Sequence, residues 1–88
     1  MIKCYIVRNV NKVPFGNFNI NDLYIAKISN NNHNTYAVLD DDNNWIPFSC
    51  YSQQGLEIYS DYFIEIYNFH VKNKKELNNN VQSSCLYK

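Results

Sequence analysis

Five short apolar stretches, separated by segments rich in asparagine and aspartate, constrain this chain more than any other feature. The first, "IKCYIVRNV", alternates with period two and places Ile2, Cys4 and Ile6 on one face and Tyr5 and Val7 on the other. Such alternation is typical of a strand. With only two Gly and two Pro in the chain, Asn and Asp carry the turns. The pattern therefore predicts a mostly β fold.

Four further strands and one helical turn complete the predicted order. "YSDYF" is predicted to form a single helical turn with Ser60 or Asp61 as its cap. In the last strand we expect Ile64, Ile66 or their neighbours to alternate inward. The four predicted strands cover residues 23–29, 35–40, 45–50 and 64–69.

The segment "VPFGNFNIND" is predicted to be a turn-rich excursion between the first two strands. The ring of Pro14 fixes φ at that position, and Gly16 permits a positive φ. We expect Phe15, Phe18 and Ile20 to tuck under this excursion as a lid on the core.

Length and charge bound the class of protein. Eighty-eight residues form one domain, and a chain this short buries only roughly 60–65% of its unfolded surface. A content of 45% hydrophobic and 16% aromatic residues indicates a folded module. The formal net charge is zero, so the chain lacks the excess of basic residues that is typical of a protein that binds double-stranded nucleic acid.

The lack of a targeting pattern predicts where the protein is located, and the spacing of its cysteines predicts their redox state. Met1 leads directly into a strand-like segment, with no signal-peptide pattern and no apolar run long enough for a membrane span. We therefore expect a cytoplasmic protein with no membrane partner. Cys4, Cys50 and Cys85 are an odd number at wide spacings, which fits reduced thiols.

The composition changes abruptly at His70. We predict a β-barrel domain over residues 1–69 and a polar C-terminal tail or short weak helix over 70–88. Leu77, Val81 and Cys85 would share one helical face, but the three asparagines between Leu77 and Val81 are poor helix formers. Both alternatives stay open.

The order of five strands, a long first loop, a three-stranded meander and a helical turn before the last strand resembles a Src-homology-3-like small β-barrel. Residues 23–67, "LYIAKI…TYAVLDDDNNWIPF…YSDYFIEI", are similar to a pattern common in small phage and Firmicute proteins of that type. Heavy use of Asn, Ile, Lys and Tyr also indicates a low-GC bacterium or its phages. The matching positions are Tyr24, Tyr36, Val38, Asp40, Asp41, Trp45, Tyr62, Phe63 and Glu65.

The acidic segment "DDDNN" is the first candidate site. Asp40, Asp42 and Asn44 have the spacing of the first three oxygen ligands of a calcium-binding loop. The glycine of such a loop is replaced by Trp45, and its closing glutamate by Tyr51. Asp and Asn are also the residues that hairpin tips favour. We interpret the segment as a solvated turn that could still present negative charge to a basic partner.

Catalysis and metal binding are not predicted. His33 and His70, with a cysteine and a carboxylate, would supply the parts of a cysteine nucleophile. No motif places such a nucleophile, no Gly-rich loop could hold phosphate, and the cysteine and histidine positions fit no standard zinc spacing. We expect neither an enzyme nor a cofactor.

The only basic run is "VKNKK", with Lys72, Lys74 and Lys75. Small barrels bind single-stranded nucleic acid by stacking bases on surface aromatics. The lysines, however, fall in the tail rather than among the aromatics. Nucleic acid is therefore an alternative partner and not the favoured one.

The surplus of aromatic rings leads to the favoured function. A thin barrel cannot bury all fourteen rings, and exposed tyrosines are typical of protein-recognition surfaces. The alternative is that these tyrosines simply have solvated hydroxyl groups. We expect several of them to be at least partly exposed, among Tyr5, Tyr24, Tyr51, Tyr59, Tyr62 and Tyr67.

The sequence thus predicts a non-catalytic protein-interaction module. It would be an accessory protein of a phage or mobile element that inhibits a host protein or nucleoprotein complex, such as a defence nuclease, in the bacterial cytoplasm. A self-associating subunit that pairs through exposed strand edges is a further alternative. The predicted binding residues are Asp40, Asp41, Asp42, Trp45, Tyr36, Tyr51, Tyr59 and Tyr62.

Overall fold

A computed structural model describes residues 2–28, 35–73 and 75 of the chain. Within these residues, five strands form one antiparallel sheet, and a single-turn helix precedes the last strand. The elements are β1 (Ile2–Asn9), β2 (Leu23–Ile28), β3 (Thr35–Leu39), β4 (Trp45–Ser49), α1 (Tyr59–Tyr62) and β5 (Phe63–Val71).

The strand order across the sheet is β4-β3-β2-β1-β5. The first four strands form a meander, and β5 returns to pair with β1. The prediction of a mostly β, five-stranded antiparallel fold with a helical turn before the last strand is confirmed. In the part of the chain that the structure describes, the sheet is open, and β4 and β5 are its edges.

The predicted boundaries hold to within one residue for β1 to β4. β5 is longer than predicted, because it runs to Val71 and so crosses the predicted domain boundary at residue 69. The predicted cap of α1 is wrong: the N-cap is the extended Ile58, and no side chain caps the helix. The predicted tail or helix falls largely on residues 74 and 76–88, which lie outside the described residues, as do His33 and Lys74.

Both faces of the sheet carry apolar clusters. Alternation along β1 divides its residues as predicted, with Tyr5 and Val7 in one cluster and Cys4 and Ile6 in the other. The larger, first-face cluster consists of Tyr5, Val7, Val13, Tyr24, Ala26, Val38, Phe48, Tyr59 and Phe63. The second-face cluster consists of Cys4, Ile6, Ile25 and Val71, with Ile2, Leu23, Trp45 and Phe69 packed against it.

The β1–β2 loop, residues 10–22, covers the first-face cluster through Phe18. The edge of the Phe18 ring meets Tyr24 and Phe63, with ring centroids 5.0 and 5.3 Å apart. Phe15 stacks on Phe48 at 5.5 Å. The predicted lid is thus confirmed for Phe18. Phe15 contacts the core but is itself 36% exposed, and the prediction is wrong for Ile20, whose side chain is 52% exposed.

Asn9 joins the end of β1 to the loop and to α1. Its backbone N–H donates to the Asp22 carbonyl at 3.0 Å, and its own carbonyl accepts from the N–H of Asn21 at 2.7 Å. Its side-chain Nδ2 donates to the Tyr62 carbonyl at 3.3 Å. This buried asparagine therefore fixes where the loop leaves the sheet.

Candidate functional site

The aspartates between β3 and β4 form a tight turn that Asp40 holds together. The backbone N–H groups of Asp42 and Asn44 donate to Oδ1 of Asp40 at 3.0 and 2.9 Å. Asn43 has the positive φ of 65° that such a tip requires. Asp40 is only 4% exposed, so its carboxylate stabilises the turn rather than facing solvent.

The same turn also holds the β1–β2 loop in place. The N–H of Asn17 donates to Oδ2 of Asp40 at 2.9 Å, and the N–H of Asp41 donates to the Asn17 carbonyl at 2.9 Å. The Asn17 side chain donates to Asp42 at 3.3 Å. These contacts join residues more than twenty positions apart, so the turn and the loop form one unit.

Asp41 completes this unit from its outer side. Its Oδ2 accepts from the Tyr24 hydroxyl at 2.8 Å and from Nδ2 of Asn19 at 2.9 Å. The Tyr24 hydroxyl in turn accepts from the N–H of Asn19 at 2.7 Å. Burial raises the pKa of Tyr24 well above its ordinary value, and the Asp41 carboxylate adds to the shift. Asp41 and Asp42 remain exposed, so the turn still presents negative charge to solvent.

Tyr36 and Tyr59 belong to the first face of the sheet. Their rings stack with centroids 4.2 Å apart and an interplanar angle of 15°, and Tyr59 is buried. The Tyr59 hydroxyl donates to Oε2 of Glu65 at 3.1 Å. Burial raises the pKa of Tyr36 to about 12 and raises that of Tyr59 further. This pair therefore contributes to packing on the first face.

Trp45 lies against the other cluster. It is half-buried beside the second-face cluster, and Nζ of Lys27 is 4.4 Å from its ring centroid. Such a cation–π contact is a moderate stabilising interaction. Tyr62 is half-buried against the first-face cluster, whereas Tyr51 is 54% exposed in the segment after β4. The eight predicted binding residues therefore do not converge on one surface.

The expectation of partly exposed tyrosines is confirmed for Tyr51, Tyr62 and Tyr67. Tyr5, Tyr24 and Tyr59 are buried. Three of the exposed large apolar side chains lie close together on β5. Ile64 is 55%, Ile66 49% and Tyr67 58% exposed. Of the alternatives predicted for this strand, Ile64 and Ile66 do not point inward, whereas Phe63, the neighbour of Ile64, is buried. We call Ile64, Ile66 and Tyr67 the β5 strip.

A β-bulge lies within the β5 strip. Ile6 pairs with Tyr67 and Val7 pairs with Glu65, which leaves Ile66 as the extra residue. The bulge shifts the alternation, so Glu65 and Asn68, three positions apart, both lie on the first face. In the sequence, the only sign of it was the spacing of Glu65, Asn68 and His70, which does not fit a period of two.

Basic and acidic side chains lie toward different ends of β1. Lys3 pairs with His70 near the start of β1, and the exposed Lys72 follows β5 at the same end. The β3–β4 turn contacts the loop that leaves β1 at Asn9, the other end. Of the predicted basic run, Lys72 follows directly on the strand that carries Tyr67 and Phe69, whose ring centroids are 6.3 Å apart.

Cysteine and histidine side chains do not assemble into a reactive group in the described ranges. Burial raises the pKa of Cys4, and burial also raises that of Cys50, with the Glu65 charge adding to it. A raised pKa favours the thiol over the nucleophilic thiolate. Among residues 2–28, 35–73 and 75, no three His, Cys, Asp or Glu side chains are placed to hold a metal ion.

Comparison of the chain with protein-family models, with curated proteins and with solved structures returns no match. Within the residues described above, no helix is long and apolar enough to cross a membrane. The functional assignment therefore depends on the geometry of the chain's own residues.

Proposed function

We propose that the protein is a non-catalytic protein-interaction module whose binding surface is the β5 strip. The observation that carries this proposal is the exposure of three large apolar side chains, each by about half, on one edge strand. A chain this small needs its apolar residues in the core. Grouped exposed apolar side chains are typical of interaction surfaces.

An extended segment of the partner suits this surface. β5 pairs with β1 along one side only, and among the described residues no strand pairs with its other side. An added strand would gain backbone hydrogen bonds along this edge and place alternate side chains against Ile64 and Tyr67. The backbone would supply affinity, and the strip would supply specificity.

Two matched pairs of substitutions test the surface. Ile64→Ser and Tyr67→Ser remove apolar groups from β5. Ile20→Ser and Tyr51→Ser remove the same groups, with similar exposure, from other surfaces. With tagged protein as bait in a bacterial lysate and mass spectrometry as readout, we expect the β5 variants to lose a captured protein that the controls retain. Equal capture by both sets would contradict the proposal.

The proposed biological setting is inhibition of a host protein by a phage or mobile-element protein in the bacterial cytoplasm. The β3–β4 turn supports binding to a basic groove of the host protein, because Asp41 and Asp42 are exposed and are held in place by hydrogen bonds. Rigid carboxylates of this kind could replace nucleic-acid phosphates in the groove of a defence nuclease.

Charge reversal tests this mimicry. Asp42→Lys changes an exposed carboxylate that accepts a long hydrogen bond from Asn17, and Asp61→Lys on α1 is the control with the same change in net charge. We expect Asp42→Lys to weaken the purified complex more than Asp61→Lys does. An unchanged affinity for Asp42→Lys would exclude mimicry and leave the β5 proposal standing.

Binding of single-stranded nucleic acid is a second candidate function. It is supported by the Tyr67–Phe69 ring pair, which lies on the same strand as His70 and is followed by Lys72. Stacked bases and a few phosphate contacts would give binding that weakens steeply with salt. A mobility-shift titration with a single-stranded oligonucleotide tests this, and the absence of a shift at low ionic strength would exclude it.

A Src-homology-3-like barrel is the proposed fold relationship. A long loop after β1, a meander of β2 to β4 and a helical turn before β5 support it. The end of β4 also approaches the segment before α1, because the N–H of Ser49 donates to the Glu57 carbonyl at 2.8 Å. The relationship concerns the order of the elements and does not require β4 and β5 to pair with each other, so the β5 edge stays open. An experimental structure with a different strand order, or without the helical turn before the last strand, would refute it.

A further inference from the structure

β5 has the features of a strand edge that pairs with another chain. It is nine residues long, contains no proline, and has five consecutive exposed residues, 64–68. Natural edge strands are usually short or blocked by proline, lysine or inward-pointing charge. Along these five residues, the bulge at Ile66 and the single charge of Glu65 on the first face are the devices of this kind.

The register with β1 assigns each β5 side chain to a face. Ile64, Tyr67, Phe69 and Val71 oppose Arg8, Ile6, Cys4 and Ile2 and so lie on the second face. Phe63, Glu65, Asn68 and His70 oppose Asn9, Val7, Tyr5 and Lys3 and lie on the first face. Beyond the buried Phe63 and the bulged Ile66, β5 thus presents apolar side chains on the second face and polar ones on the first.

We propose that a second copy of this chain pairs with β5 in antiparallel orientation, about a two-fold axis at Asn68. This proposal rests on β5 being a protein-interaction surface, as proposed above. A two-fold interface is self-complementary, and each residue must oppose a residue on the same face. With Ile66 bulged in both copies, centring on Asn68 satisfies that condition along the whole strand.

The pairs that this register creates are chemically matched. Glu65 opposes His70 of the second copy, so a carboxylate meets an imidazole that can donate to it. Tyr67 opposes Phe69 of the second copy, which is a cross-strand aromatic pair. Ile64 opposes Val71 of the second copy, and Asn68 opposes its own equivalent. Cross-strand pairs of these types stabilise antiparallel sheets.

The distribution of charge selects a second copy in this orientation. β5 carries its acidic residue, Glu65, toward its start and His70, followed by Lys72, toward its end. Antiparallel pairing therefore brings an acidic half against a basic half twice, once on each side of the axis. A parallel copy would instead place like groups together.

A cysteine at the axis gives the most direct test. In a Cys50→Ser, Cys85→Ser background, Asn68→Cys would bring two thiols together across the axis at a separation suited to a disulfide. Copper phenanthroline is the oxidant. We expect a disulfide-linked dimer to form at least about tenfold faster than for Gln54→Cys, an exposed control in the loop after β4. Equal rates would overturn the proposal.

Sedimentation equilibrium gives an independent readout. We expect the wild-type mass to double as protein concentration rises, and Tyr67→Lys to raise the dimer dissociation constant by at least about tenfold. Tyr51→Lys, which alters a similarly exposed tyrosine, should leave it unchanged. Glu65→Arg and His70→Glu should each weaken the dimer, and the double variant should restore it.

The two proposals fail in different ways. A wild-type chain that stays monomeric at the highest soluble concentration, with no preferential cross-linking at Asn68→Cys, would overturn self-pairing. If Ile64→Ser and Tyr67→Ser still abolish capture of another protein, the interaction function of β5 would survive that result. Circular dichroism of each variant separates loss of pairing from loss of folding.

Discussion

The β3–β4 turn and β5 are both at the surface, but their side chains are used in different ways. In the turn, the three aspartates accept hydrogen bonds from the turn itself and from the β1–β2 loop. In β5, three large apolar side chains remain about half exposed. The more highly charged region thus maintains the fold, while the more apolar strand is the one that we propose to bind a partner.

This difference has a physical cause in the size of the chain. A small domain gains little from its thin core, so polar contacts that fix long loops contribute a large share of its stability. Asp40 fixes the loop at Asn17, 23 residues away in sequence. Apolar side chains left outside that core do little for stability and are therefore free to take part in binding.

The largest effect on the free energy of unfolding is expected from substitution of Asp40. Asp40→Ala would leave three backbone N–H groups, of Asn17, Asp42 and Asn44, without their acceptor. We expect a loss of about 3 kcal/mol in the free energy of unfolding, measured with urea. Asp42→Ala, which removes one long exposed hydrogen bond, should cost about 0.5 kcal/mol or less. Equal losses of unfolding free energy for Asp40→Ala and Asp42→Ala would contradict the structural role of Asp40.

The next effect concerns Gly16 in the β1–β2 loop. Gly16 has φ of 73°, and an added Cβ would lie 2.8 Å from the Phe18 ring. We expect Gly16→Ala to cost about 2 kcal/mol of unfolding free energy, from strain and displaced packing. Gly55→Ala is the control, since Gly55 has φ of 85° but open space around it, and about 1 kcal/mol of strain alone should result. A larger loss at Gly55 would contradict the packing role of the loop.

A smaller effect, seen only at high pH, follows from the buried tyrosines. Burial raises the pKa of Tyr36 to about 12, against about 10 in an unfolded chain. The folded state therefore favours the neutral phenol. The contribution of Tyr36 to the free energy of unfolding is complete below about pH 10 and is lost as the pH rises through about 12. We expect the melting temperature to fall over this range less steeply for Tyr36→Phe than for wild type. Tyr51→Phe, at an exposed tyrosine, is the control.

The smallest effect on folding is expected on β5 itself. Ile64 and Ile66 are both about half exposed, so Ile64→Ser and Ile66→Ser should change the unfolding free energy by about 0.5 kcal/mol or less. Urea titration at low protein concentration avoids any contribution from pairing. A loss of about 2 kcal/mol would show that these side chains support the fold, as a buried isoleucine does.

Much of the fold could be predicted from local pattern. Alternation in "IKCYIVRNV" predicted which residues of β1 share a face, and the asparagine-rich breaks located the ends of β2, β3 and β4 to within a residue. These are short-range features, for which single-sequence reasoning is well suited. Gly16 and the tip of the aspartate turn were also predictable, because positive φ restricts residue choice.

The surface that we propose for binding could not be predicted in the same way. The role of Asp40 depends on Asn17, and the two meet only because the loop folds back over the sheet. The face on which each β5 side chain lies depends on a bulge opposite β1, which is a property of the pairing rather than of β5 alone. Both are long-range effects that the sequence pattern does not encode directly.

Amide hydrogen exchange at low and high protein concentration tests the contrast between the two regions most directly. We expect the Asn17, Asp42 and Asn44 amides to be protected equally at both concentrations, because Asp40 holds them within one chain. We expect those amides of residues 64–68 that do not bond to β1 to exchange at least about tenfold more slowly at high concentration. Unprotected turn amides, or β5 amides whose exchange is independent of concentration, would contradict this account.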